Sequence, residues 1–137
     1  MRTDPAWVDS YYGVSNGDRV DIHRGFKPDG LGEAFTENFT NLTKRALEEA
    51  GATLDDISAV LVTHGNRDLH ESYLDSIGVS HERSVFSYAA DGHLGGSDPL
   101  LALKALEMDR TLAPGDVIVV ATAGSGFSWG VTVLQVA

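Results

Sequence analysis

Apolar residues follow a helical spacing in the first half of the chain. They recur every three or four positions and are followed directly by Gly51; the positions are Leu31, Ala34, Phe35, Phe39, Leu42, Ala46, Leu47 and Ala50. This spacing places all of them on one face of a helix, and glycine is common just after the last helical residue. The pattern predicts a long amphipathic helix from residue 31 to residue 50.

The segment that follows alternates short apolar runs with further helical patterns. Residues 59–63 are apolar and rich in β-branched side chains, which is typical of a buried strand, and this strand ends at His64. A second helix is predicted around residues 68–77, with Leu69, Tyr73 and Ile77 on its apolar face and Gly78 as its stop. A short strand over residues 84–87 is predicted next.

The last third of the chain predicts one more helix and a hairpin. Pro99 suits the first position of a helix that runs to about Asp109, and Asp98 suits its N-cap. Two β-branched runs then flank the small-residue loop 123–126, as in a buried hairpin. Glycines in such a loop let a ligand approach backbone N–H groups closely, although an ordinary turn has the same composition.

Residues 1–30 are rich in Asp, Gly and Pro and differ from the rest of the chain. Two β-leaning pieces, at 7–8 and 19–22, lie on either side of a turn at 15–18, so this part is interpreted as an N-terminal arm or edge hairpin. Residues 31–137 form the main unit. The order of helices and strands in it predicts an α/β fold with a mixed sheet.

Composition narrows the range of partners. A chain of 137 residues with 42% hydrophobic composition suits one domain, and its net charge of −10 disfavours nucleic acid and anionic membranes as partners. No run approaches the roughly 18 apolar residues of a membrane span, and the polar N-terminus predicts a cytoplasmic protein. The absence of cysteine excludes disulfides, thiolate metal sites and a cysteine nucleophile within these residues.

Three loops are expected to meet at the carboxyl edge of the sheet, where ligands bind in α/β folds. They are 64–66, 92–98 and 123–126. A histidine at a strand end, a second histidine or an aspartate on a glycine loop, and a wall of glycine amides match the base, the orienting group and the oxyanion donors of acyl transfer. The nucleophile is missing from this set.

Each candidate residue also has a structural interpretation. His64 can serve as a hydrogen-bonded strand end, Asp98 as a helix cap and His93 as a loop residue. A metal site built from His64, His93 and a carboxylate fits no recognised ligand spacing. The three other histidines are predicted to be solvated: His23, His70 and His81.

A series of landmarks in unbroken order makes the pattern more specific. They are Leu54-Asp-Asp-Ile57, Val62-Thr-His-Gly-Asn66, Ile77-Gly-Val79, Asp91-Gly-His93, Leu112-Ala-Pro-Gly-Asp-Val-Ile118 and Gly124-Ser-Gly-Phe-Ser-Trp-Gly130. Together they resemble the C-terminal half of a β-ketoacyl-acyl carrier protein synthase III of the thiolase superfamily, over about residues 31–137. The resemblance implies one half of a thiolase-like fold, a mixed β-sheet with helices packed on it.

The resemblance also implies roles for individual residues. The family's catalytic histidine corresponds to His64, whereas the asparagine of its Gly-Asn-Thr loop falls on His93, so the sequence departs from the chain-elongating pattern. Segment 92–98 is instead similar to that of acyltransferase-type relatives in natural-product pathways. By that likeness Asp98 orients or polarises His64, as a carboxylate does in other triads.

The remaining site residues follow from the same resemblance. Ser125, with Gly124 and Gly126, would offer backbone N–H groups to an oxyanion, and Asn66 is assigned to substrate binding. No cofactor or metal is implied, and the substrate would be a thioester of coenzyme A or phosphopantetheine.

The function implied is that of the small subunit of a split ketosynthase III-like acyltransferase, which moves an acyl group from a carrier-protein or CoA thioester to an acceptor. A separate chain with the N-terminal half would supply a Cys or Ser nucleophile in a hetero-oligomer. The alternative is a non-catalytic partner that stabilises a complete ketosynthase-like enzyme. A self-contained hydrolase using Ser97 or Ser125 is a third interpretation, although neither serine lies in a Gly-X-Ser-X-Gly elbow.

Overall fold

A four-stranded mixed sheet forms the centre of the computed structural model, which describes residues 1–26, 29–109, 112–124 and 126–137. The strands are β1 (Arg2–Thr3), β2 (Tyr11–Asn16), β3 (Arg19–Arg24), β4 (Ile57–Val62), β5 (Val117–Gly124) and β6 (Ser128–Gln135). The order in the sheet is β1-β6-β5-β4, with β4 and β5 parallel and the other neighbours antiparallel. The predicted mixed sheet is confirmed.

Helices pack on both faces of this sheet. They are α1 (Leu31–Ala50), α2 (Arg67–Ser76), α3 (Tyr88–Asp91) and α4 (Asp98–Asp109). Helix α1 has the predicted bounds, and Gly51 ends it with a φ of 69°, a left-handed conformation that suits glycine. Its apolar stripe packs with α2 into one core that includes Phe39, Leu47 and Trp129.

Strand β4 is buried on both sides, and this explains its continuous apolar run. Val60 and Val62 belong to the core shared with α1 and α2, whereas Ala59 and Leu61 belong to a second core. That second core includes Leu106 of α4 on the opposite face of the sheet. The sheet is therefore a layer between two groups of helices.

The N-terminal segment contributes two separate features. Strand β1 pairs with β6 at the edge of the main sheet, while β2 and β3 pair only with each other as a hairpin. The β-leaning piece predicted at residues 7–8 is wrong, because Pro5–Trp7 is a 3-10 turn that buries Trp7 in the main core. Asp4 caps this turn by accepting a hydrogen bond from the N–H of Ala6.

Two further predictions need correction. The strand predicted at residues 84–87 is reduced to a single bridge between Ser84 and Val60, after which the chain turns into α3. Asp98 is itself the first residue of α4, with a φ of −52°, and its side chain bonds the preceding loop instead of capping the helix. Ser84 and Asp98 instead take part in buried hydrogen bonds, to His70 and to the backbone of His64 respectively.

In the part of the chain that the structure describes, no helix is both long and apolar enough to cross a membrane.

Candidate functional site

The carboxyl ends of β4 and β5 lie side by side, because these strands run parallel. The N–H of Thr63 donates to the carbonyl of Ala121 at 3.0 Å, and His64 follows directly. The 3-10 turn Gly95–Ser97 contacts β5 and brings the glycine loop to the same edge. The predicted loops 64–66 and 92–98 therefore lie at the edge where β5 ends at Gly124, and the rest of the third loop includes Ser125, which is outside the described residues.

The carboxylate of Asp98 joins two of these loops. Its Oδ2 accepts hydrogen bonds from the backbone N–H of His64 and from Nδ1 of His93, both at 2.8 Å, and its Oδ1 accepts from the N–H of Leu94 at 2.6 Å. Asp98 is 1% exposed. Burial alone raises the pKa of this carboxyl, but the hydrogen bonds outweigh it and hold the pKa below its ordinary value.

The hydrogen bond to Asp98 fixes the tautomer of His93. An ionised carboxylate only accepts hydrogen bonds, so Nδ1 of His93 carries the proton. The neutral imidazole then has its lone pair on Nε2, in a side chain that is 56% exposed. His93 is thus an aspartate-held imidazole whose free nitrogen can accept a proton.

His64 lies in a different environment. It is 1% exposed, and its Nε2 is buried without a hydrogen-bond partner in the described part of the chain. Nδ1 has only a long contact of 3.5 Å to Ser87 Oγ, and the ring of Tyr88 packs at 4.6 Å between centroids. Asp98 therefore contacts His64 at its backbone N–H and leaves the imidazole without a carboxylate partner.

The other predicted site residues have varied positions. Asn66 caps α2, with its side-chain oxygen accepting from the N–H groups of Asp68 and Leu69 at 2.8 and 3.3 Å. Gly124 ends β5, and Gly126 has a φ of 78° in the hairpin loop. Ser125 lies outside the described residues, so its predicted oxyanion role stays a prediction. Substrate binding by Asn66 likewise stays a prediction.

The sequence interpretation missed a buried histidine. His70 was expected to be solvated, but it is 2% exposed. Its Nε2 lies 2.8 Å from Ser84 Oγ and its Nδ1 lies 3.0 Å from the hydroxyl of Tyr88. The spacing of His70 to Leu74 and Ile77, four and seven residues on, was the available signal, because these positions share one helix face.

The other two histidines agree with the expectation of solvation. His23 is exposed on β3 and stacks on Tyr12 at 5.7 Å between ring centroids. His81 is 43% exposed and pairs with Asp75 at 2.8 Å. Within the described ranges, no group of three or more metal-ligating His, Asp or Glu side chains is placed to hold a metal ion.

We expect the buried His70 to make the stability of the protein pH-dependent. Burial lowers the pKa of His70 from 6.5 to about 3. The unfolded chain therefore binds one more proton than the folded chain between these values, and stability falls as pH falls through this window. From pH 7 to pH 4.5 the free energy of unfolding should drop by about 2–3 kcal/mol more in the wild type than in His70→Gln.

Urea denaturation at these two pH values measures the difference. The matched control is His23→Gln, which removes an exposed histidine and should retain the pH dependence of the wild type. Equal pH dependence in His70→Gln and the wild type would show that His70 titrates in the folded protein as it does in the unfolded chain.

The fold and the position of the site identify the class of protein to which this chain is structurally similar. A mixed sheet between two groups of helices, with histidines at the carboxyl edge, is one half of the thiolase-like fold of condensing and acyl-transfer enzymes. β-Ketoacyl-[acyl carrier protein] synthase III from Thermus thermophilus shares this fold at a TM-score of 0.84 and 20% identity, over 99% of this chain and 44% of that chain.

The particular family follows from the sequence comparison. Residues 47–136 match the family described as 3-oxoacyl-[acyl-carrier-protein (ACP)] synthase III C terminal, and the chain belongs to this family. The β-ketoacyl-[acyl-carrier-protein] synthase III of Rhizorhabdus wittichii is 28% identical over 106 residues, which cover 75% of this chain. The structure of ChlB3, an acyltransferase, is similar at a TM-score of 0.67 and 28% identity, over 78% of this chain and 33% of ChlB3.

The chain spans about a third of the length of the curated relatives that it matches: the match covers 33% of the Rhizorhabdus wittichii protein. The family match confirms the resemblance drawn from the ordered landmarks, which is to the C-terminal half of synthase III proteins.

Proposed function

We propose that this chain is the C-terminal half of a cytoplasmic ketosynthase III-like acyltransferase, active together with a complementary N-terminal half on a separate chain. In this assembly it moves an acyl group from a carrier-protein or coenzyme A thioester to an acceptor. The observation that carries the proposal is the buried Asp98, which links His64 and His93 at the carboxyl edge of a ketosynthase III-type sheet.

The chemistry needs a nucleophile that these residues do not contain. No cysteine is present among the 137 residues, so a thiol would come from the complementary half. That nucleophile would attack the thioester carbonyl to form an acyl-enzyme, and the carrier thiol would leave. The acceptor would then attack the acyl-enzyme carbonyl while a histidine takes its proton, and the bond from the acyl group to the nucleophile would break, releasing the Cys or Ser side chain to be reprotonated.

The different surroundings of His64 and His93 indicate different roles in this reaction. We assign the general base to His64, which corresponds to the family's catalytic histidine and has a buried, unpartnered Nε2. His93 occupies the place of the family's asparagine, and its Asp98-bound ring would face the substrate from the glycine loop. The presence of His93 at the place of that asparagine, together with the similarity to the acyltransferase ChlB3, supports acyl transfer to an acceptor in preference to chain elongation.

The outer face of α4 supports the requirement for a second half. Leu100 and Met108 are 69% and 77% exposed, on the side of the helix opposite the buried Ala102 and Leu106. Exposed apolar side chains clustered on one helix face are typical of an interaction surface. We propose that the complementary half packs on this face of α4. It would then lie beside the His93 loop, which directly precedes α4 in the chain.

Native mass spectrometry after co-expression tests the proposal. The chain is produced together with the protein encoded beside its gene, and the expected result is a stable complex with a chain of the N-terminal-half type that carries a reactive Cys or Ser. Leu100→Glu with Met108→Glu should abolish the complex, because it places two charges in an apolar contact.

The matched control is Val8→Glu, which makes the same kind of change at a 50% exposed position just after the Pro5–Trp7 turn, outside α4 and outside the β2–β3 hairpin with its exposed apolar side chains. It should leave the complex intact. A complex with an already complete ketosynthase would favour the accessory role over the split enzyme. A complex that survives the α4 substitutions would show that the partner binds a different face of this chain.

A further inference from the structure

Among the residues that the structure describes, none makes a short hydrogen bond to the imidazole of His64. Its backbone is fixed by Asp98 at 2.8 Å, but the ring has only the 3.5 Å contact of Nδ1 to Ser87 Oγ. A contact of that length contributes little orientation, since hydrogen bonds weaken steeply beyond about 3.2 Å. Something other than hydrogen bonding must therefore orient the ring.

The aromatic ring of Tyr88 covers one face of this imidazole. The two ring centroids are 4.6 Å apart and the planes are inclined by 34°. This separation is within the range of stabilising aromatic contacts. A flat ring packed on the imidazole limits its rotation about the last side-chain torsion, and so fixes the direction in which Nε2 points.

Tyr88 is itself held by a chain of hydrogen bonds whose directions can be assigned. The carbonyl of Val60 only accepts, so the hydroxyl of Ser84 donates its single proton there. Ser84 Oγ must then accept from Nε2–H of His70 at 2.8 Å. Neutral His70 therefore has a bare Nδ1, which accepts the hydroxyl proton of Tyr88 at 3.0 Å.

The protonation states of the network support this assignment. Burial lowers the pKa of His70 to about 3, so its ring is neutral at physiological pH. Burial also raises the pKa of Tyr88 to about 12, and the nearby charge of Asp98 acts in the same direction, so the phenol keeps its proton. The hydroxyl of Tyr88 also contacts the carbonyl oxygen of Asn66, but that distance of 3.5 Å is longer than the 3.0 Å to Nδ1 of His70. The shorter contact therefore sets the direction of the chain from Tyr88 to Val60.

We propose that Tyr88 is a positioning residue for His64, and that His70 and Ser84 act on His64 through Tyr88 by anchoring its hydroxyl. This series of contacts begins at the carbonyl of Val60 in β4 and ends where Tyr88 packs on the imidazole of His64, just after the same strand. Strand β4 therefore anchors both the backbone of His64 and the network that orients its ring. This inference rests on the proposed role of His64, but its test does not depend on enzymatic activity.

The test is NMR of the chain labelled at histidine, with the His64 ring signals assigned by their absence in His64→Gln. In the wild type, the His64 ring C–H signals should carry an upfield ring-current displacement and show contacts with the Tyr88 ring. Tyr88→Leu should remove both. His70→Leu should weaken them by releasing the tyrosine hydroxyl.

His70→Asn is the conservative variant that should restore them, because its side-chain oxygen lies near the former Nδ1 and can accept the hydroxyl proton of Tyr88. If Tyr88→Leu does not fold, the His64 ring signals of Tyr88→Phe and His70→Leu test the positioning role instead, because both variants remove the hydrogen bond between Tyr88 and His70. Unchanged His64 signals in folded Tyr88→Leu, or in both of the other two variants, would overturn the proposal.

Activity of the reconstituted complex gives a second readout. Tyr88→Phe should lower kcat by about 10- to 100-fold with little change in KM, because a misoriented base affects the transition state more than substrate binding. If His64→Ala leaves the rate unchanged while the NMR result holds, the proposed function fails and the positioning contact stands. The proposed function and the positioning role of Tyr88 can therefore be disproved independently of each other.

Discussion

His64→Ala is expected to reduce the acyl-transfer rate of the reconstituted complex by about 10²–10⁴-fold, the usual contribution of a general base. The loss should appear in kcat, because the side chain would act on the proton that leaves the acceptor during the reaction. The rate is measured as acyl transfer from a coenzyme A thioester, under single-turnover conditions that separate acylation of the nucleophile from transfer to the acceptor.

Two further variants make this experiment specific. His23→Ala removes an exposed histidine on the hairpin and should retain the wild-type rate. His93→Ala should reduce the rate less than His64→Ala does. A full rate in His64→Ala together with loss in His93→Ala would transfer the base role to the histidine that Asp98 holds at 2.8 Å.

Asp98→Ala is expected to destabilise the protein by about 2–6 kcal/mol, because two backbone N–H groups lose their acceptor at roughly 1–3 kcal/mol each. The donors are His64, at 2.8 Å, and Leu94, at 2.6 Å. Since the pKa of Asp98 is lowered in the folded state, its stabilising effect is fully present at pH 7. That effect is lost only as pH falls below the ordinary carboxyl pKa toward the lower folded value.

Urea denaturation of the variants at pH 7 measures this contribution. Asp98→Asn should cost less than Asp98→Ala, because the amide keeps one acceptor oxygen. Asp91→Ala removes an exposed carboxylate from the neighbouring turn and should have little effect.

The rate of Asp98→Asn separates two roles of this carboxylate. Loss of the charge from a triad aspartate that holds the ring of the base costs about 10⁴-fold. Asp98 holds the backbone of His64 and the ring of His93, so a rate loss of that size in Asp98→Asn would indicate that the imidazole of His93 acts as the base.

Helices α1, α2 and α4 and the β5–β6 hairpin were predictable because their signals are local, but the hairpin is less buried than predicted, since most of β6 is half-buried or exposed. The apolar stripe of α1 and the stop at Gly51 depend only on the 3.6-residue period and on a left-handed cap, and the bounds are confirmed. The ordered landmarks likewise predicted the family, because they span most of the chain. The prediction of a strand at 84–87 was wrong. The apolar side chains of this segment pack as part of a loop beside β4, and only Ser84 forms a bridge to that strand.

The sequence by itself therefore determined the main helices, strands β4 to β6, the family and the position of His64 at the carboxyl edge, since periodicity and ordered motifs are properties of the chain. Only the tertiary structure decided how these residues are connected. It placed the carboxylate of Asp98 on the backbone N–H of His64 and buried His70 against Ser84 and Tyr88. Such contacts depend on the packing of loops distant in sequence, where the need to pair every buried polar group selects the partners.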